Sequence, residues 1–439
     1  MIFLLLFIFA LPGFFIGKYI FKSWFNPVTI YTAIWYGMLN LYYIKLIRYE
    51  DLDLQTWLYI AGAYFSLILG SVTIYLAFKL FNIDIHPNKD VVREFKLVVD
   101  NGKAVKIFII IFSIVGFISA FQHWHVLIQK YGSVLEVLLK ANEIYRLRIE
   151  GKIIGVIPYL HVFAYVGVFL SAIYAAYTNK LSFIIFLPLI AVFIKEIANV
   201  GRSGILYSVV LFGSTYFIIK LFYNFHLKKT EKKILRTVLL LSLVLAFFIG
   251  SSVIMRTFRG TVESFTGTSK ALSSYKDNLL ISPSIYLYLS AHVGVFNKYL
   301  EMDVERSKFA QYTFQPVYNI LAKFGVTDKT KFYHHGYFIP VWVNTGTYLR
   351  EVHADFGIWG LILIPYFLGF FAVLFWYRFF SSGNSLWLIL LVQLFSIIFF
   401  SFFLSITRFG VWYISLILLL VFVPVIEYIA TFNYKKAVT

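Results

Sequence analysis

Long apolar stretches separated by short polar ones dominate the chain. Runs near 20 residues fall at roughly 2–20, 27–46, 54–79, 105–125, 154–177, 181–198, 203–222, 234–254, 353–377, 384–404 and 410–431. A helix rises about 1.5 Å per residue, so about 20 apolar residues cross a bilayer core. The pattern predicts an all-α polytopic membrane protein with about 11 transmembrane helices. The long polar interval at 255–351 predicts one large extracytoplasmic loop before the last three helices. Within it, Leu280–Phe296 is apolar but short, which suggests an interfacial or re-entrant helix. Residues 1–17 lack a basic start and a small-residue cleavage site, so they read as a retained first helix. The chain 1–439 is expected to form a single membrane domain.

Composition agrees with the pattern. The chain is 60% hydrophobic and 14% charged, too little charge for the surface of a soluble protein of 439 residues. With no cysteine, disulfides, thiolate metal sites and thiol nucleophiles are excluded. The net charge of +18 does not imply a nucleic acid partner, because the basic residues fall in loops between spans. One set of connections carries Lys18, Lys22, Lys79, Lys89, Lys96, Lys103, Lys106, Lys180, Lys220, Lys228, Lys229, Lys232, Lys233, Lys435 and Lys436. By the positive-inside rule these loops are cytoplasmic, with the N-terminus outside and the C-terminus inside.

Arginine follows a different distribution. Arg93, Arg236 and Arg378 join the lysine-rich set. Arg48, Arg146, Arg148, Arg202, Arg256, Arg259, Arg306, Arg350 and Arg408 fall on the opposite side, where topology does not require them. Guanidinium forks suit bidentate recognition of phosphate or carboxylate. Single residues of this set could equally snorkel to headgroups; as a group they point to an anionic site on the outer face.

Four places concentrate these arginines. In Gly201-Arg202-Ser203-Gly204, a tight turn precedes the seventh span, and Ser203 is placed to cap it. Helix-start amides and Arg202 could then hold an anion together, or form only a capped turn. Arg256 and Arg259 have i, i+3 spacing and share one face of a continued helix. Arg146 and Arg148 face one way only in an extended segment; in a helix, Glu143 and Glu150 could pair with Arg146. Arg408 lies in the short turn between the last two spans, where snorkelling is the plain alternative. Lys195 and Glu196 precede Arg202 by one to two turns and could pair with each other.

The most informative stretch is Asn344-Thr345-Gly346-Thr347-Tyr348-Leu349-Arg350-Glu351-Val352-His353-Ala354-Asp355-Phe356-Gly357-Ile358-Trp359-Gly360. Ionisable groups crowd the outer end of the ninth span. Glu351 and Asp355 are i, i+4 and share a face, while His353 points elsewhere. Gly357 and Gly360 permit close helix contact. The functional reading is a polar site at a helix mouth; the alternative is capping by acids in a first turn.

The run Asn-Thr-x-Thr-Tyr-Leu…Asp-Phe-Gly-x-x-Gly resembles the membrane polymerases of bacterial polysaccharide repeat units, the Wzy-type O-antigen and capsule polymerases. The Gly-Arg-Ser-Gly turn, the paired arginines after the eighth span and the late outer loop fit the same family. Related ligases carry His-Asn about ten residues before the Gly of this motif, where Gly346-Thr347 stands here. A base role at that point does not carry over, and His353 is the nearest substitute.

The resemblance implies a GT-C-like fold in the bacterial cytoplasmic membrane. It implies undecaprenyl-diphosphate-linked oligosaccharides as substrates, with a chain-length regulator as a further partner besides the lipid bilayer. The expected site then has His353, Asp355 or Glu351 as catalytic acid–base groups. Arg202, Arg256, Arg259, Arg350, Arg146, Arg148 and Arg408 would hold the diphosphate, and Tyr286, Tyr288, Tyr337 and Trp342 the sugars. No cofactor and no metal is expected, since guanidinium groups can compensate the leaving-group charge. A ligase using the same donor and a flippase for the same glycolipid are the alternatives; the chain has no internal repeat of the kind transporters carry.

The remaining polar clusters are weaker. Asp51-Leu52-Asp53 in the first outer loop resembles the metal site of other polyprenyl-dependent membrane glycosyltransferases, yet Asp53 could simply cap the third span. His123 and His125 flank Trp124 at an interface position, and His334-His335 reads as a solvated part of the large loop that could line a sugar site. His292, with Tyr286 and Tyr288, could roof a cavity, and Tyr333 could stack on sugar rings.

Overall fold

The computed structural model describes residues 2–83, 95–149, 156–180, 182–199, 201–227, 242, 249, 250, 253, 257, 263–278, 282–302, 307–328, 330 and 334–438. The chain is mostly helical. It divides into two compact units. The first comprises Met1–Asp84, Val262–Tyr377 and Leu394–Trp412; the second comprises Ile85–Thr261, Arg378–Gln393 and Tyr413–Thr439.

The first unit opens with helices α1 (Ile2–Phe21), α2 (Pro27–Ile44) and α3 (Leu54–Leu80). Helix α2 starts where Asn26 accepts a hydrogen bond from the Thr29 amide and Pro27 occupies the first helical position. Both features satisfy or remove donors that a helix start leaves orphaned. Asp53 stands before α3 in extended conformation but makes no side-chain cap. It instead accepts from the Asn297 amide at 3.2 Å, while its own backbone N–H donates to Asn297 Oδ1.

Residues 262–351, in the same unit, contribute short helices: α10 (Lys270–Ser273), α11 (Pro283–Ser290), α12 (His292–Met302) and α13 (Gln315–Lys323). Strands β1 (Tyr337–Phe338) and β2 (Trp342–Val343) pair antiparallel. The apolar stretch Leu280–Phe296 falls largely on α11 and α12. His292, Val293, Gly294, Val295 and Phe296 are buried inside the unit, not laid on its surface. Tyr42 and Tyr49 stack at 4.6 Å, and Tyr49 hydrogen-bonds Ser290, so the first loop and the long loop fold together.

Then come α14 (Tyr348–Phe356) and α15 (Ile358–Ser382). The apolar run 353–377 suggests one helix, but the chain breaks at Gly357, whose φ of 61° and ψ of −148° suit only glycine. Gly360 then sits under the Val352 carbonyl, with no room for a Cβ. The membrane-crossing helix therefore begins at Ile358, and the polar residues of α14 stand ahead of it. Helices α3 and α15 touch backbone to backbone. A Cβ on Gly70 would lie 1.9 Å from the Tyr366 carbonyl, and one on Gly369 would lie 1.9 Å from that of Leu67. Ser71 donates to the Gly369 carbonyl at 3.1 Å. Small residues permit this approach where lipid offers no hydrophobic drive.

The second unit is built on α4 (Lys103–Tyr131), α7 (Val162–Thr178), α8 (Leu187–Asn199) and α9 (Ser203–Leu227). The short α5 (Val134–Leu139) and α6 (Ala141–Ile149) follow α4. Helix α7 is buried on nearly every side and is packed by α4, α8 and α9, so it is the core of this unit. Among the described residues of the run 154–177, the helix starts at Val162, after a turn in which Tyr159 has positive φ. In the run 181–198 the α-helix starts at Leu187, after a 3-10 turn at Phe183–Ile185.

Helices α16 (Ser385–Phe400) and α17 (Gly410–Val438) close the chain. Among the described residues, α1, α3, α4, α9, α15 and α17 are long and apolar enough to cross a membrane; α7 and α16 are shorter apolar helices. The protein is thus a multi-pass membrane protein of the all-α class. Of the expected span at 234–254, all but residues 242, 249, 250 and 253 lie outside the described residues.

A buried charge network at the head of a membrane helix

Helix α14 carries most of the polar residues singled out in the sequence, and it is buried along nearly its whole length. Its first residue is pinned twice. The Tyr348 N–H donates to the Ser401 carbonyl at 2.9 Å, and its hydroxyl meets that of Tyr31 at 3.0 Å.

Glu351 is the centre of one network. Its Oε1 accepts from Arg408 Nη1 at 2.8 Å and lies 2.7 Å from His334 Nε2; its Oε2 accepts from the Ser405 amide. Arg408 Nε donates to Gln315 Oε1 at 3.1 Å. The Glu351 and Arg408 side chains are 3% and 8% exposed, which decides against a snorkelling role for Arg408. Burial pushes the Glu351 carboxyl up, but Arg408, His334 and the Ser405 amide outweigh it and hold it below its ordinary range. His334 is buried and rests edge-on against Tyr312 at 4.4 Å, so it is not a solvated loop residue.

Arg350 points into a different pocket of the same unit and is 1% exposed. Its Nη2 donates to the His335 carbonyl at 2.7 Å and its Nη1 to that of Asn344 at 3.3 Å. The guanidinium lies 5.0 Å from the Tyr337 ring and 5.6 Å from the Tyr299 ring, a cation–π clamp. Tyr299 also meets His353 Nδ1 through its hydroxyl at 2.9 Å. His353, half-buried, lies 5.7 Å from the Tyr59 ring. One tyrosine thus joins a guanidinium and an imidazole.

Asp355 has a third set of partners. Its oxygens accept from Ser307 Oγ, the Tyr312 amide at 2.9 Å, the Thr313 amide at 2.6 Å and Thr313 Oγ1 at 2.7 Å. Burial raises its proton affinity, and these donors offset part of that effect. Glu351 and Asp355 are both buried, as their spacing suggests, but each serves its own loop.

The structure brings Arg350 and Arg408 to α14 within the first unit. Arg202, Arg146 and Arg148 belong to the second unit. Arg146 is exposed on α6, and Arg148 lies on the same helix. Arg256 and Arg259 lie outside the described residues, as do Glu150, Arg306 and Tyr333. Helix α9 begins at Ser203, so Arg202, whose carbonyl accepts from the Leu206 amide, holds the position expected of Ser203. A carboxylate already stands there: a Cβ on Gly204 would lie 2.6 Å from Glu196 Cδ and 2.6 Å from Tyr165 Oη. Glu196 pairs with Lys195 at 2.6 Å.

Of the candidate sugar-binding aromatics, Tyr337 is buried under Arg350 and Tyr286 is buried against the Leu41 carbonyl. Tyr288 and Trp342 are exposed. His292 is buried with Nε2 2.7 Å from the Tyr288 carbonyl and Nδ1 3.0 Å from that of Thr345. In the first loop, Asp51 pairs with Lys45 and Glu50 with Lys298. Among the described residues, no group of three or more His, Asp or Glu side chains could hold a metal ion.

Tyr299, Gln315 and Ser405 are site residues that the sequence pattern does not single out, and His334 is marked there only as a loop residue that could line a sugar site. Their partners lie 17 to 93 positions away, and no local motif marks them. Compared with family models, curated proteins and solved structures, the chain finds no match.

Proposed function

We propose that the protein polymerises undecaprenyl-diphosphate-linked oligosaccharide repeat units on the outer face of the bacterial cytoplasmic membrane. The observation that carries the reading is Tyr299, which links the Arg350 guanidinium to the His353 imidazole ahead of a membrane-crossing helix. In such a reaction an acceptor sugar hydroxyl attacks the anomeric carbon of the donor. The anomeric C–O bond breaks, and its electron pair leaves with the diphosphate. The hydroxyl proton passes to a general base, and His353 is the group suited to take it. Glu351 is committed as a carboxylate to Arg408 and His334, and Asp355 to four donors of one loop segment. Arg350 supplies positive charge near the departing diphosphate in a site of low dielectric. Further spans beyond the six helices named above, with a GT-C-like arrangement and the long loop outside, belong to this proposal.

The test is polymerisation of a purified lipid-linked repeat by the purified protein. Wild-type protein should yield a ladder of products, unchanged by chelator. Arg350→Lys and His353→Gln should lose the ladder at least about 100-fold while retaining membrane insertion. A single repeat moved to another acceptor would indicate a ligase, and transbilayer movement without a new bond would indicate a flippase. Either result would overturn the proposal.

A further inference from the structure

Helix α13 has an unusual face. Val317, Ile320 and Phe324 recur at i, i+3 and i+7, one stripe of the helix and its cap, and all three are exposed. Phe324, at the end of the row, and Phe309, whose carbonyl accepts from the Tyr318 hydroxyl, are 77% and 76% exposed. Tyr318 and Asn319, on the other side, are half-buried. Lys308 and Lys323 flank the row and are exposed.

Two tethers fix where this face lies. Asp355 holds Ser307, Tyr312 and Thr313, and Phe309 packs edge-on against Phe356 at 5.1 Å. Asp355 and Phe356 come just before Ile358, where membrane-crossing α15 begins. At the start of α13, Gln315 accepts from Arg408, two residues before Gly410, where membrane-crossing α17 begins. Ile358 and Trp359, on the first turn of α15, are also exposed. The apolar row is therefore tied to the mouths of two spans, at the level where a bilayer surface must lie.

We infer that α13, with Phe309 and Phe324, is a ledge that seats in the headgroup layer of the bilayer, its partner being the phospholipid surface. The apolar row enters the upper acyl region and Lys323 meets the phosphates, the usual arrangement of an interfacial helix, while Lys308 is paired with Asp328 at 3.0 Å. The inference is independent of the enzymatic reading and rests on the membrane spans alone.

The cysteine-free chain makes the test direct. Single variants Val317→Cys, Ile320→Cys and Phe324→Cys carry a nitroxide, with Asp328→Cys as an aqueous reference. Each is placed in nanodiscs of mixed phosphatidylcholine and phosphatidylglycerol. The ratio of oxygen to nickel-chelate accessibility should be several-fold higher at 317, 320 and 324 than at 328. Equal ratios would overturn the inference, and so would shielding from both reagents, which marks a protein neighbour. Should the variants not fold, wild-type protein in nanodiscs doped with a diazirine lipid serves instead. Adducts within 309–326 are expected there, and their absence would sink the idea.

Discussion

The Arg408 guanidinium donates to the Glu351 carboxylate at 2.8 Å, joining two residues 57 positions apart. The contact ties the turn before α17 to helix α14, and both partners are almost wholly removed from solvent. Taking one charge from a buried pair leaves the other uncompensated, which is far more costly than losing both.

Glu351→Gln should therefore destabilise the protein by about 3–5 kcal/mol, seen as a lower melting temperature in detergent. Adding Arg408→Gln should recover part of that loss, because contacting residues are not additive. Equal melting temperatures for Glu351→Gln and wild type would remove Glu351 as the counter-ion.

The same pair sets an acid limb. The fold depresses the Glu351 carboxyl below its ordinary value of 4.5, so its contribution is fully present above that pH. The contribution is lost as pH falls through the lower, folded value. Asp355 has the opposite sign, since its folded proton affinity is raised above the ordinary 3.8. Its contribution to stability declines as pH rises from that value through the folded one, then stays flat. Melting curves from pH 3 to 8 on wild type, Glu351→Gln and Asp355→Asn separate the two: Glu351→Gln should flatten the acid fall, and Asp355→Asn should steepen it.

Asp355→Asn leaves one acceptor oxygen where two carboxylate oxygens received four donors. The amides of Tyr312 and Thr313 should exchange with solvent deuterium faster, read by mass spectrometry of peptides covering 307–314. Unchanged exchange would mean that other contacts hold this segment.

Gly204→Ala places a methyl 2.6 Å from both the Glu196 carboxyl carbon and Tyr165 Oη. The overpacking should cost about 1–3 kcal/mol, visible as earlier thermal aggregation. Ser203→Ala should show no such effect, since Ser203 lies inside the helix and not at its cap.

The six long apolar helices were legible because apolar length is a local property. Helices α1, α3 and α9 start within a residue or two of the runs that predict them. The polar crowd at 344–360 was legible for the same reason. Its partners were not. His334 reads as a solvated loop residue until a carboxylate from α14 is brought beside it. Arg408 reads as a headgroup anchor until Glu351 turns it inward. The break at Gly357 was half legible: the glycine stands out, but an apolar run that continues across it hides the change of helix. The occupation of the α9 start by Glu196 depends on the return of α8 against α9, which spacing alone does not specify.

The backbone contact of Gly70 with Tyr366 and of Gly369 with Leu67 carries one last implication. Two helices that close cannot slide past each other without a clash, and parting them breaks the serine hydrogen bond and the contact around it. They form a fixed post. Any opening of this unit has to swing on some other joint, and a cross-link installed between α3 and α15 would leave that motion untouched.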